Sequence, residues 1–246
     1  MAYALGKKSF GVMYNLNPQD VMPNYAAGTL VNEENLESLL KQMITNESTI
    51  KLFEFGQHNF SNVIKNINEI FNSATFVDGR YTQNLEESLS KRYNRPVIAT
   101  NSGTTALILA LDSILKNKKE VIVPALTFSA TIQAIKHAGG EPIFADVDKN
   151  TWTLNPEEVY NKITPRTGMI LPVNLFGTPA DVNSFKELSE RYNIPLVYDS
   201  CQAFGALTPY GEIGTFGDLD LFSLDATKIL SGGNGGFITL KNSELY

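Results

Sequence analysis

One cysteine in 246 residues, Cys201, excludes an internal disulfide and fits a reducing compartment such as the cytoplasm. Two histidines, His58 and His137, beside that single thiol leave too few ligands for a structural zinc site. Long apolar runs are also missing. None approaches the roughly 20 residues that a bilayer-spanning helix requires. The opening Met1-Ala-Tyr-Ala-Leu-Gly-Lys-Lys8 does not have the ordered charged, apolar and cleavage regions of a signal peptide. There is no block of Lys and Arg, and the net charge of −6 with a pI of about 5.0 argues against nucleic acid and anionic membranes as partners. What remains is an ordinary globular composition, 43% apolar and 19% charged.

Within that composition the chain alternates regularly from about Tyr81 onward. Leu107, Ala110, Leu111, Ile114 and Leu115 have helical spacing, and Glu120-Val-Ile-Val-Pro124 follows as a short buried strand. A helix over residues 129–138 stops at Gly139-Gly140. Residues 142–147, 169–173 and 195–199 read as further strands. Asn155-Pro156-Glu157 reads as a helix start, and Val182, Phe185, Leu188 and Tyr192 as the inner stripe of another helix. Apolar strands separated by helices predict an α/β fold with a mainly parallel sheet covered on both faces. Leu219-Asp-Leu-Phe-Ser223 and Gly236-Phe-Ile-Thr-Leu240 are too close in sequence for a helical crossover, so they are expected to pair antiparallel. Residues 1–70 differ: a strand at 10–14, a loop at 15–28 and helices at 33–43 and 63–71 are expected there, as an N-terminal segment ahead of a domain spanning 71–246.

In such sheets ligands gather at the carboxyl ends of the strands. Thr127, Phe128, Asp199 and Ser223 all fall at or just past predicted strand ends, and Thr104 opens a helix. Asn101-Ser-Gly-Thr-Thr-Ala-Leu107 is a small-residue turn feeding that helix, where free amides and the helix dipole favour a phosphate. Lys228 lies in Phe222-Ser-Leu-Asp-Ala-Thr-Lys228, between a strand and the turn Gly232-Gly-Asn-Gly-Gly236. A lysine held at a strand end suits imine chemistry, which needs an amine that sheds its proton more readily than in water. Taken singly, Asp199 also reads as a strand-end cap, Phe128 as core, Ser223 as a strand hydroxyl and Gln202 as a loop amide. Cys201 reads as a small packed side chain, His137 as a capping or surface residue near a helix end, and Trp152 as a core aromatic.

Together these motifs resemble the DegT/DnrJ/EryC1/StrS sugar aminotransferases. The resemblance runs from about Phe76 to Tyr246, through Asn101-Ser-Gly-Thr-Thr-Ala-Leu107, Glu120-Val-Ile-Val-Pro-Ala-Leu-Thr-Phe-Ser-Ala-Thr131, Ile163-Thr-Pro-Arg-Thr-Gly168 and Phe176-Gly-Thr-Pro-Ala-Asp181. It continues in Asp199-Ser-Cys-Gln-Ala-Phe-Gly205, Gly214-Thr-Phe-Gly-Asp218 and the Lys228 segment. It implies a three-layer large domain like that of aspartate aminotransferase, pyridoxal 5'-phosphate (PLP) as cofactor, and a nucleotide-linked keto-sugar and an amino donor, glutamate, as substrates. By the same resemblance Lys228 condenses with the cofactor aldehyde and moves protons, and Asp199 pairs with the ring nitrogen. Gln202 contacts the ring hydroxyl, Phe128 stacks on the ring, and Gly103, Thr104, Thr105 and Ser223 hold the phosphate. A homodimer is implied for the full-length form, and no metal is implied.

Departures from the family pattern bear on substrate preference. Asn234 stands in the glycine turn where many relatives carry an acid, and Leu224-Asp225 replaces a commoner aromatic or histidine. Tyr198 replaces a frequent acidic neighbour of the ring aspartate. Relatives that dehydrate their sugar replace the lysine with histidine, so Lys228 argues against that branch. Family members usually continue into a smaller C-terminal domain. The chain is therefore expected to be the large domain alone, with weak or no turnover as it stands and a non-catalytic PLP-binding remnant as the rival reading. Residues 1–47 resemble the tail of a nucleoside 2-deoxyribosyltransferase-like domain without its catalytic glutamate, or are an ordinary α/β segment fused ahead.

Overall fold

The computed structural model describes residues 61–76, 78–115 and 119–242. The elements expected at 10–14, 15–28 and 33–43, and the deoxyribosyltransferase-like stretch 1–47, lie outside these residues. Among the described residues two helices come first, α1 (Ser61–Ser73) and α2 (Arg80–Tyr93), then β1 (Val97–Thr100) and α3 (Gly103–Ile114). Next are β2 (Glu120–Pro124), α4 (Ser129–His137), β3 (Glu141–Ala145), α5 (Pro156–Tyr160), β4 (Thr167–Ile170) and α6 (Val182–Tyr192). The chain continues through β5 (Val197–Asp199), the small hairpin β6 (Leu207–Thr208) and β7 (Gly211–Glu212), then β8 (Leu219–Ser223) and β9 (Gly236–Leu240).

Local sequence explains the ends of these helices. Ser102 caps α3, its hydroxyl accepting the Thr105 amide, and Asp181 caps α6 by accepting from Ser184. Asn155 caps α5 with Pro156 at its first turn, as its sequence predicts. The α4 helix ends where Gly139 takes φ +69° and Gly140 donates back to the Ile135 carbonyl.

Strands β3, β2 and β4 form one parallel set, and β1, β9, β8 and β5 form a second, mixed set. Parallel bridges Ile170–Leu196 and Val173–Asp199 join β4 and its extension to β5. The combined order is β3-β2-β4-β5-β8-β9-β1. Only β9 opposes its neighbours, pairing antiparallel with both β8 and β1. The expected antiparallel pair is therefore present, inside an otherwise parallel sheet.

Alternation along the strands sends side chains to two cores. Val121, Val123, Val197, Leu221 and Ile238 pack under α3 and α4 with Leu107, Leu111 and Ile135. On the opposite face Ile122, Tyr198, Phe222 and Phe237 meet Tyr93 of α2 and Phe185 of α6. The Phe222 and Phe237 rings stack across β8–β9 at 4.5 Å. The result is the expected three-layer α/β/α domain. Trp152 differs from expectation. It is half-buried at a turn with φ +60° and meets the Phe176 ring edge-on at 6.2 Å, because the tight return between Val147 and Leu154 carries it outside the core.

Candidate active site

A cavity of about 290 Å³ opens where β2, β5 and β8 end. Gly103, Thr104, Phe128, Asp199, Gln202, Ser223 and Lys228 all line it. Residues scattered over more than half of the sequence thus converge on one crevice at the carboxyl edge of the sheet. Thr105 does not line it. Its amide donates to Ser102 Oγ at 3.1 Å and its hydroxyl lies 3.0 Å from the same atom, so it belongs to the cap of α3.

Asp199 forms the floor. Its backbone is fixed on both sides: its amide donates to the Pro172 carbonyl at 2.9 Å and its carbonyl accepts from the Asn174 amide at 2.9 Å. Asn174, fully buried, donates from Nδ2 to Ser200 Oγ and accepts from the Ala180 amide, which anchors the neighbouring loop. The Asp199 side chain is only 5% exposed. Oδ2 accepts from Thr131 Oγ1 at 2.8 Å and Oδ1 from the Cys201 amide at 3.1 Å. A carboxylate can accept about four hydrogen bonds, so lone pairs remain for a donor in the cavity.

The N-terminus of α3 forms one wall. Ser102 takes the Thr105 and Ala106 amides through its side chain and carbonyl, which leaves the first two amides of the helix, Gly103 and Thr104, for an anion. Ser223 meets this helix at close range. A Cβ at residue 103 would sit 2.7 Å from Ser223 Cβ and 3.0 Å from Cys201 Sγ, so only glycine lets the helix start approach β8. Beyond the helix the chain folds back, with Gly233 at φ +81° and Gly235 at φ +134°, and Asn234 reaches the cavity.

Lys228 sits on the turn that follows β8, its amide donating to the Asp225 carbonyl at 2.9 Å. Asp225 stiffens this turn by accepting from the Thr227 amide at 2.9 Å and hydroxyl at 2.6 Å. The Thr227 hydroxyl and amide hold the Asp225 carboxyl below its ordinary range. Lys228 Nζ lies 5.9 Å from the centre of the Phe128 ring, which stands 64% exposed at the mouth. Gln202 Oε1 accepts from the Phe176 amide at 3.0 Å and thereby secures Phe176 in a left-handed conformation, φ +54°. Gln202 also lines the cavity.

Cys201 packs here as a small side chain. Burial and the neighbouring Asp199 carboxylate push its thiol well above the ordinary value, which suits packing and not attack. His137 is exposed near the end of α4, as expected. The lining residues that sequence reasoning passed over include Ala130, Thr131, Val173 and Thr227. Thr131 was legible in part: it stands in the first turn of α4, four residues after Thr127, which immediately precedes the helix cap Phe128.

The strand order, the lone antiparallel strand and the cavity at the carboxyl edge define an aspartate-aminotransferase-like large domain. The chain belongs to the DegT/DnrJ/EryC1/StrS aminotransferase family, whose profile matches residues 58–246. It is 35% identical over 183 residues to a GDP-perosamine synthase of Escherichia coli O157:H7, covering 73% of this chain and 50% of that protein. Over 186 residues it is 34% identical to a 3-oxo-glucose-6-phosphate:glutamate aminotransferase of Bacillus subtilis, covering 74% of this chain and 41% of that protein. Among solved structures it is similar to the E. coli GDP-4-keto-6-deoxy-D-mannose-3-dehydratase with bound hydrated PLP (TM-score 0.73, 28% identity, 79% of this chain and 52% of that one). The chain thus spans about half the length of these relatives.

Proposed function

We propose that this chain is the cofactor-binding large domain of a PLP-dependent aminotransferase. It would pass an amino group from glutamate to a nucleotide-linked keto-sugar, in the biosynthesis of an amino sugar or surface polysaccharide. The observation that carries this reading is the convergence of Lys228, Asp199 and the open amides of α3 on one cavity. One relative's name gives an oxo-sugar phosphate and glutamate, and another's a GDP-linked amino sugar, which supports this reading. We infer a cytoplasmic enzyme that acts as a homodimer in its full-length form. No helix among the described residues is long and apolar enough to cross a membrane. We also infer that residues 71–246 form this domain and residues 1–70 a separate N-terminal segment.

The residues present fit the cofactor. At one end the Gly103 and Thr104 amides, with the Ser223 hydroxyl, offer donors to a phosphate, and the absent Cβ at residue 103 lets the helix start stand close to Ser223. Thr105 serves this end by completing the Ser102 cap. Asp199 lies at the other end, buried and acceptor-only when ionised. When bound, PLP supplies an aldehyde and an electron-withdrawing ring. Asp199 would hold the proton on the ring nitrogen, and Phe128 would cover one ring face, a contact worth about 1 kcal/mol. Val173 lines the cavity beside Asp199, and Gln202 would donate from its amide nitrogen to the ring hydroxyl. Lys228 would supply the amine that holds the cofactor through its aldehyde. The same amine, when free, would be the group that holds and moves a proton at the reacting carbons.

Incubating the PLP-loaded chain with glutamate tests the assignment. The expected result is one equivalent of 2-oxoglutarate released per bound cofactor, the nitrogen remaining on the protein-bound cofactor. Uptake of PLP without 2-oxoglutarate would assign the cavity to binding alone, and no uptake would overturn the reading.

A further inference from the structure

The Asp199 carboxylate has a hydroxyl partner whose own hydrogen bonding is fixed by elementary counting. Thr131 Oγ1 lies 2.8 Å from Asp199 Oδ2 and 2.9 Å from Thr127 Oγ1. An ionised carboxylate only accepts, and a threonine hydroxyl has one proton to give. The Thr131 proton is therefore spent on Asp199, and the proton between the two threonines must come from Thr127. The direction along the chain is Thr127 to Thr131 to Asp199. Thr131 is fully buried, rooted in the first turn of α4, and α4 follows the loop that carries Phe128.

We propose that Thr131 is a positioning residue for Asp199, with Thr127 as its support. This rests on the reading of Asp199 as the partner of the PLP ring nitrogen. The Asp199 carboxylate can rotate about its terminal bond, and the Cys201 amide on Oδ1 restrains only one oxygen. Thr131 restrains the other, so the remaining lone pairs point in one direction, into the cavity. Donation from Thr127 polarises the Thr131 hydroxyl and strengthens its hold on the carboxylate. Because Thr127 also lines the cavity and precedes Phe128, the same short segment sets both the ring-stacking face and the acid beneath it.

The test uses Thr131→Val, which preserves shape and removes the hydroxyl, Thr131→Ser, which restores it, Thr127→Val, and Asp199→Asn. Affinity for PLP is read by spectral titration, together with the induced circular dichroism of the bound cofactor. Thr131→Val is expected to weaken PLP about tenfold, the lower end of a hydrogen bond to a charged group, and to reduce the dichroic signal. Thr131→Ser should recover affinity to within about threefold, an order-of-magnitude allowance for its looser rotamer. Thr127→Val should weaken binding less, and have no further effect once Thr131 is valine. Equal effects of Thr131→Val in wild-type and Asp199→Asn backgrounds would overturn the proposal, as would an additive Thr127 effect. If Asp199→Asn leaves PLP affinity unchanged, the role given to Asp199 fails instead. If the chain takes up no PLP, the same cycle read by thermal unfolding decides the relay. Thr131→Val should lower Tm by several degrees with Asp199 present and clearly less with Asn. An equal loss in both backgrounds would refute it.

Discussion

A methyl group at residue 103 has no space. It would meet Ser223 and Cys201 at 2.7–3.0 Å, and neither can withdraw far because Ser223 ends a paired strand. Gly103→Ala should therefore cost about 1–3 kcal/mol of stability and at least tenfold in PLP affinity, measured by chemical denaturation and by titration. Asp220 is the other residue whose chemistry stands out. It is fully buried in β8, accepting from the Gly217 amide at 3.0 Å with Arg95 Nη1 3.5 Å away. Burial outweighs Arg95 and the backbone donors and pushes its carboxyl up to about 6, from an ordinary value of 3.8. The folded state thus holds this proton more tightly than the unfolded chain does. Between pH 4 and 6 the Asp220 contribution must decline as pH rises, by on the order of 2–3 kcal/mol in total. The stability of wild type relative to Asp220→Asn should fall across that window and level off above it. A difference that is flat with pH, by denaturant titration, would contradict the assignment.

At the scale of elements, the turn after Lys228 and strand β9 decide how closely α3 and β8 can meet. A Cβ at Gly236 would lie 2.7 Å from the Phe222 carbonyl oxygen and 2.8 Å from the Gly103 amide, all backbone, so no rotamer relieves it. Gly233 has open space but φ +81°. Gly236→Ala should consequently reach the upper end of about 1–3 kcal/mol, whereas Gly233→Ala should cost about 1 kcal/mol of backbone strain. The reverse ranking in denaturant midpoints would refute the packing argument.

The elements themselves were largely legible, because continuous apolar strands and helical stripes leave a clear periodicity and caps such as Asn155 and Gly139 mark the helix ends. The function of two motifs was not. Ile163-Thr-Pro-Arg-Thr-Gly168 clamps the start of β2, with Arg166 Nη2 2.5 Å from Glu120 Oε1 and Thr164 donating to Oε2. Gly214-Thr-Phe-Gly-Asp218 is a brace. Its carbonyls at Thr215 and Gly217 accept from Arg95, and Asp218 accepts from the Leu196 amide at 3.0 Å. Both share the family pattern yet serve the scaffold, a distinction that depends on tertiary contacts and leaves no signal in spacing.

At the scale of the whole molecule, two cores on opposite faces of one sheet hold the strand ends in register, and the site inherits its precision from that sheet. Asp199 ends β5, Ser223 ends β8, and Phe128 stands between β2 and α4, so no single element contains the site. Sequence order separates these groups, and only the crossover topology unites them. That is why the candidate residues could be named one by one from the resemblance while the Thr127–Thr131–Asp199 relay could not. Hydroxyl partners across elements are set by packing, and threonines in a helix turn look alike in sequence whether or not they face a carboxylate.

Equilibrating the protein with PLP, reducing with borohydride and mapping the modified peptide by mass spectrometry tests the convergence most directly. A cofactor adduct on the peptide containing Lys228, absent in Lys228→Ala and weakened in Asp199→Asn, is the predicted outcome. An adduct on a different lysine, or no adduct at saturating PLP, would contradict it.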